Sequence, residues 1–488
     1  MPIGGCRMRV SKYFKLGRDQ ATLDFIDVPV DGDIPVFIDP DALRGLDTRW
    51  GHDCVSLLQS FFESVLDAIK KGEHDNARQL LSQLNERNEF HLGFSKGKAR
   101  GHALGPISAE KIWRSLIKSK AAKTGLVQDL EDTVLFVEGV GSDMLSDAIC
   151  NIIRGPLIAY TNQVCNYYGI TMVHPVDSGP VWNPQNERWE QGYVSLPKTK
   201  YGLLILVPKV IARIKSTFDA NEYYRHYLMP TLQQHHKDIN SAFVRTVRTG
   251  KNKGKKYVTK KDLYDTYGAD KLTSAELTKD HPSALDNYRK TKRATPSRPL
   301  DHIAFAKIEN AAPPNFDALL AAIQAIPTGN ATAGDYEGAV EKFLSAYFYP
   351  SLVSPQKQHE IHDGRKRIDI KYSNAAQAGF FSWLAKHYPA PQVFVECKNY
   401  GKEVGNPEVD QLAGRFSPSR GKFGLLVVRS VEDRARLEAR CKDTAGDGRG
   451  FIIVLDDADL AELVKQRLSV INGYNDNLLW RRFQKLIN

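Results

Sequence analysis

Four residues near the C-terminal end carry the groups that a hydrolytic metal site needs. They are Asp369, within Arg-Ile-Asp-Ile, and Glu396-Cys397-Lys398, which closes the apolar run Val393-Phe394-Val395. A strand alternates its side chains with period two, so Glu396 and Lys398 share one face and Cys397 points into the opposite core. Asp369 sits between Ile368 and Ile370 in a second alternating stretch, which suits an adjacent strand. Two carboxylates held close together repel each other unless a divalent cation lies between them. Oxygen ligands of this hardness suit Mg²⁺, with Mn²⁺ as a substitute, and the Cys397 main-chain carbonyl can add to the set. A lysine beside such a cation can position a water for attack on phosphorus. The chemistry is metal-assisted phosphodiester hydrolysis.

The flanking segments read as the elements that would hold these groups. Asp335 to Leu344 has the spacing of an amphipathic helix, with Val340, Phe343, Leu344 and Tyr347 on its buried face. Pro407 to Ala413 predicts a second helix. Phe423 to Val428 is a buried strand, followed by a charged helix and a further strand, Phe451 to Leu455. Between Asp369 and Glu396, Ala375 to His387 reads as a helical insertion. His359 and His362, near Asp369, read as surface residues rather than metal ligands.

This order of elements, with its acidic pair and lysine, resembles the PD-(D/E)XK nuclease superfamily, and in particular its Mrr-type and Holliday-resolvase-like members. The resemblance spans roughly residues 316 to 470. It implies a restriction-endonuclease-like α/β core, a mixed central sheet flanked by helices. It also implies a glutamate on the first helix near the metal, here Glu337, with Glu341 one turn later competing for the role. On the helix after Glu396 it implies a glutamine, Gln411, which would orient Lys398 or a phosphate oxygen. No proline precedes Asp369, and the helical insertion stands where a tight hairpin is commoner in the superfamily.

A chain of 488 residues is too long for one ordinary core. The expected organisation is a larger mixed α/β recognition or regulatory domain over 1–295, a linker over 296–315, and the nuclease-like domain over 316–488. With 42% hydrophobic and 10% aromatic residues, the chain has the composition of a folded globular protein. Six scattered cysteines without a C-x-x-C pair argue against a disulfide framework or a zinc ribbon, and fit a reducing cytoplasm. The first residues lack the apolar run of a secretory signal, and no run is long enough to span a bilayer.

In the first 295 residues a long helix is expected around Val55 to Ile69, a strand at Thr133 to Glu138, and a buried strand at Tyr201 to Pro208. The net charge of +10 favours a polyanionic partner. The densest basic run holds Arg245, Arg248, Lys251, Lys253, Lys255, Lys256, Lys260 and Lys261, with Gly250 and Gly254 to keep it mobile; Arg289 to Arg293 is a second run. Both suit phosphate contacts. A terminal amphipathic helix, Asp476 to Ile487, should dock on its own domain.

These readings converge on a Mg²⁺-dependent endonuclease acting on nucleic acid, DNA rather than RNA, in anti-phage defence or restriction. A DNA-repair or junction nuclease, and a non-catalytic nucleic-acid-binding protein on a nuclease scaffold, are the alternatives. Cutting both strands of a duplex calls for two sites, which a homodimer would supply. The chain has no ATPase signature, so driven translocation, or a sensed trigger, would fall to a separate ATPase or sensor protein.

Overall fold

The strand-like stretches around Asp369 and Glu396 lie side by side in one sheet. In the computed structural model the described residues are 7–85, 87–93, 114–117, 120–123, 125–295, 297–361, 366–401, 404–468 and 478–488. His362 and the side chain of His359 lie outside them, as does Cys6. The protein is mixed α/β, with one five-stranded mixed sheet and several small ones.

The C-terminal module begins with helix α1 (Ala333–Tyr347), which buries Tyr336, Val340, Phe343 and Leu344. Strands β1 (Leu352–Ile361) and β2 (Lys366–Asn374) follow, then helix α2 (Gly379–His387) and strand β3 (Gln392–Lys398). Helix α3 (Asn406–Ala413) leads to β4 (Phe423–Val428), α4 (Arg434–Gly446), β5 (Phe451–Leu455), α5 (Asp457–Leu468) and α6 (Leu478–Ile487). The strands lie in sequence order across the sheet. β1, β2 and β3 pair antiparallel, and β3, β4 and β5 pair parallel. The helical insertion is α2, and it does not prevent β2 from pairing with β3, in the register Ile370↔Val395 and Tyr372↔Val393.

All six residues of β4 are buried, as expected for a parallel strand covered on both faces. Strand β1 is the element the sequence pattern did not reveal. Its Ser-Pro-Gln-Lys-Gln stretch is polar, and the strand is an edge strand whose register slips between Val353 and Gln356. Helix α6 docks on its own module, where Phe483 meets the rings of Phe380, Tyr388, Phe423 and Phe451.

The N-terminal region has its own hydrophobic core, separate from the one around the five-stranded sheet. Its long helix, Arg49–Lys71, buries Leu58, Phe61, Phe62, Val65 and Ile69, is capped by Thr48, and ends at a left-handed Gly72. Two expectations there are corrected. Thr133 to Glu138 is not a strand: helix Asp132–Phe136 occupies it, because a short apolar run fits either state when it is buried on all sides. Of Tyr201 to Pro208 only Gly202–Leu203 forms a strand, although Leu204 to Val207 are buried and each is bonded to a different neighbour.

The stretch expected as a linker contains helix His302–Glu309, whose Phe305 belongs to the N-terminal core. His302 of that helix also contacts the Ala346 carbonyl oxygen at 2.8 Å, tying the two regions together. Further ties are the buried ion pair of Arg18 with Glu341, the bond from the Ser354 N–H to Asp24 Oδ1 at 2.8 Å, and Lys209 Nζ over the Tyr349 ring at 4.1 Å. Among the described residues no helix is long and apolar enough to cross a membrane.

Candidate active site

The register of β2 and β3, continued one step past Ile370↔Val395, sets Asp369 across from Glu396. The Cys397 N–H donates to Asp369 Oδ2 at 2.9 Å, which fixes the aspartate against the neighbouring strand. Lys398, two residues beyond Glu396 and on the same face, donates from Nζ to Glu396 Oε1 at 2.7 Å. Glu396 is only 1% exposed, and its other oxygen, Oε2, is buried with no hydrogen-bond partner. An orphaned carboxylate oxygen is costly unless a ligand meets it.

The electrostatics carry the same strain. Burial, followed by the charge of Asp369, pushes the Glu396 carboxyl above its ordinary range. Burial raises Asp369 as well, against the opposing pull of the Cys397 N–H, Lys398, Arg367 and Arg415. For Lys398, burial works against the charged form, but Glu396 and Asp369 outweigh it and hold the ammonium above its usual value. Two like charges, Asp369 and Glu396, are thus partly desolvated together with Lys398 as their close cation, and a hard cation would relieve what repulsion remains.

Glu337 on α1 is the third acid. Its pKa is pushed up to about 7, by burial first and by Asp369 second. Gln358 of β1 donates from Nε2 to its Oε2 at 2.6 Å. Glu341, the competing residue, is fully buried and committed elsewhere, paired with Arg18 and accepting from Ser345 Oγ at 2.8 Å. The two glutamates therefore differ in their surroundings: the charge of Asp369 reaches Glu337, and Glu341 joins the two regions.

Gln411 lies exposed on α3, and among the described residues it makes no hydrogen bond to Lys398. The group that does reach the site from this direction is Arg415, just past the end of α3. It is 9% exposed, its Nε is buried without a partner, and its charge acts on both Asp369 and Glu396. Sequence reasoning missed it, and the only available signal was a cation one turn beyond the glutamine. Lys371, two residues from Asp369 on β2, is also buried, and burial followed by Arg420 lowers its pKa to about 8.

The donors present fit Mg²⁺ or Mn²⁺: two facing carboxylates, one with a free oxygen, beside the carbonyl of Cys397. Among the described residues no three His, Cys, Asp or Glu side chains converge closely enough to hold an ion by themselves. A cation here would therefore rest on Asp369, Glu396 and the Cys397 carbonyl, with Glu337 reaching it directly or through water. The Cys397 thiol is no ligand candidate, since burial and then Asp369 push it well above its ordinary range.

The basic residues behave as two distinct sets. Arg245, Arg248, Lys251, Lys253, Lys255, Lys256, Lys260 and Lys261 are all exposed. They belong to a hairpin, Arg245–Thr246 paired with Lys256–Tyr257, and to the start of the next helix, rather than to a structureless loop. Three of them have local partners: Arg245 pairs with Asp262, Lys256 donates to Asn240 Oδ1, and Lys260 donates to the Arg225 carbonyl. The second run is corrected. It forms part of helix Pro282–Ala294, where Arg289 pairs with buried Asp132, Lys292 with Glu222, and Arg293 with Asp129. Those cations neutralise acids distant in sequence and are structural.

Residues 15–219 match a family model described as a domain of unknown function, DUF8370. The match ends well before Asp369, and it contains Arg18, Asp24 and Lys209, which meet the C-terminal module. No curated protein and no solved structure matches the chain.

Proposed function

We propose that the C-terminal module is a Mg²⁺-dependent nuclease that hydrolyses phosphodiester bonds, with DNA as substrate and restriction or anti-phage defence as its role. The single observation that carries this reading is the convergence of Asp369, Glu396 and Lys398 on the adjacent inner strands β2 and β3, with a carboxylate oxygen of Glu396 left without a partner. When bound, the cation would polarise the scissile phosphate and offset its charge.

The chain's own groups divide the remaining work. Asp369, Glu396 and the Cys397 carbonyl would hold the ion. Lys398 Nζ, anchored by Glu396, positions the attacking water and faces the charge that grows on the phosphate. The water oxygen forms the new P–O bond, and the bridging oxygen leaves with a proton. Arg415 adds a second positive charge that acts on both carboxylates. Glu337, half-buried and raised in pKa, is suited to holding or passing a proton near neutral pH. The exposed basic hairpin supplies sequence-independent phosphate contacts.

The test is cleavage of plasmid, linear duplex, single-stranded DNA and RNA by wild type, Glu396→Ala and Lys398→Ala, with Mg²⁺, Mn²⁺ or EDTA. Either substitution, or EDTA, should abolish cleavage while the circular dichroism spectrum is retained. A double variant that cut at the wild-type rate would refute the assignment.

A further inference from the structure

A cavity of about 520 Å³ lies between the N-terminal region and the edge strand β1. Its volume falls within the ~300–1,000 Å³ range of ordinary small-molecule sites. One wall is the end of helix Arg154–Tyr168, with Gln163, Asn166, Tyr167 and Tyr168; the other is Ser354 to Gln358 of β1.

Three features mark this as a built site rather than a packing gap. First, the Tyr167 hydroxyl and the Oε1 of Gln358 are buried without hydrogen-bond partners. Second, β1 enters and leaves the cavity wall through two left-handed non-glycine residues, Ser354 at φ 52° and Gln358 at φ 50°, with the register slip beside them. Strain of this kind persists where the surroundings enforce it, and it clusters at ligand sites. Third, Asp24, the acid in the wall, is already satisfied by the Tyr160 hydroxyl at 2.7 Å and the Ser354 N–H at 2.8 Å. What remains available is aromatic surface, several amides and one cation, Lys357.

That combination has a defined complement. Aromatic rings stack on a planar base, amides pair with its polar edge, and an ammonium meets a phosphate. We propose that the interdomain cavity is a nucleotide-binding site, with the base against the Tyr167 ring, its edge at Gln163 and Asn166, and its phosphate at Lys357. The ligand is either a free mononucleotide or one nucleotide unit of a bound strand. The proposal goes beyond the nuclease reading and does not depend on it. If that reading holds, the site has a route to it, because Gln358 lines the cavity and donates to Glu337.

The experiment uses the full chain in EDTA, so that no cleavage intervenes. AMP, GMP, CMP and UMP are titrated calorimetrically, and short single-stranded DNA and RNA by fluorescence anisotropy. Wild type is compared with Tyr167→Phe, Gln163→Ala and Lys357→Ala. Tyr167→Phe removes a hydroxyl that has no partner, so the unliganded melting temperature should hold while affinity falls about fivefold, the worth of one neutral hydrogen bond. Gln163 is exposed, so Gln163→Ala gives the same readout if Tyr167→Phe fails to fold.

Mononucleotide binding that weakens in these variants supports a free ligand. Oligonucleotide binding that weakens, with mononucleotides inert, supports a unit of the bound strand. Absence of both at millimolar ligand, or binding indifferent to all three variants, overturns the proposal. Lys398→Ala should bind the nucleotide as wild type does, which separates failure of this site from failure of the catalytic assignment.

Discussion

Replacing Asp369 by asparagine should make the metal-free protein more stable while removing its response to Mg²⁺. The substitution keeps the shape and the acceptor for the Cys397 N–H but removes one charge from a cluster of three acids. Despite Lys398, Arg367 and Arg415 nearby, the Asp369 carboxyl is held above its ordinary range, so the surroundings disfavour its charge overall. The magnitude can be worked from Glu337, whose pKa rises from 4.5 to about 7. That difference corresponds to ~3.4 kcal/mol at full value. Glu337 is partly exposed, so screening reduces it to about 1–2 kcal/mol, of which Asp369 supplies the lesser share after burial.

The share removed by Asp369→Asn is therefore about 0.5–1 kcal/mol, or roughly 1–4 °C for a domain of this size, and relief at Glu396 acts in the same direction. The sign with pH follows from the direction of the shifts. Groups whose folded pKa is raised favour the native state below their unfolded value, and that contribution is lost as pH rises through the folded value. The advantage of the variant should therefore be largest at pH 8 and shrink between about pH 7 and pH 4.5, the window set by Glu337. Differential scanning fluorimetry at pH 8 and pH 5, with EDTA or Mg²⁺, reads both effects. A variant less stable than wild type at pH 8, or one that keeps the full Mg²⁺ shift, would refute the reasoning.

Other outcomes can be stated more briefly. Arg18→Ala strands a fully buried Glu341 and should cost about 3–5 kcal/mol in urea unfolding, whereas pairing Arg18→Met with Glu341→Met should recover most of it. Arg415→Ala should lower kcat about 10²-fold with little change in the melting temperature, while Gln411→Ala should stay within about twofold in the same cleavage assay. Replacing Lys251, Lys253 and Lys255 together by alanine should make the dependence of DNA affinity on log salt shallower by about 2–3 in anisotropy titrations. Arg289→Ala should instead lower stability, by exposing the unpaired charge of buried Asp132.

The placement of Glu396 and Lys398 was legible in the sequence because it is written locally. Glu396 and Lys398 lie two residues apart on an apolar strand, and period two decides their common face without any tertiary knowledge. Helix α1, strand β4 and the docking helix α6 were legible for the same reason, each having a clear apolar face or run. What could not be read was set by partners distant along the chain. The choice between Glu337 and Glu341 depends on Arg18, which lies 323 positions before Glu341. Arg289 reads as a free cation until the fold brings Asp132 to it, across a separation of 157. Strand β1 carries proline, glutamines and a lysine, since an edge strand that lines an open cavity has no need of alternation. Arg415 lies beyond the helix that the resemblance pointed to, and only the turn after Ala413 brings it to the acids.

The most direct test is where a divalent cation sits. Crystals of the full chain soaked in Mn²⁺, with data collected for anomalous scattering, should show a peak within coordination distance of the carboxylates of Asp369 and Glu396 and the carbonyl oxygen of Cys397, and no such peak in Glu396→Gln. Anomalous density elsewhere at saturating Mn²⁺, with these three oxygens uncoordinated, would contradict the account.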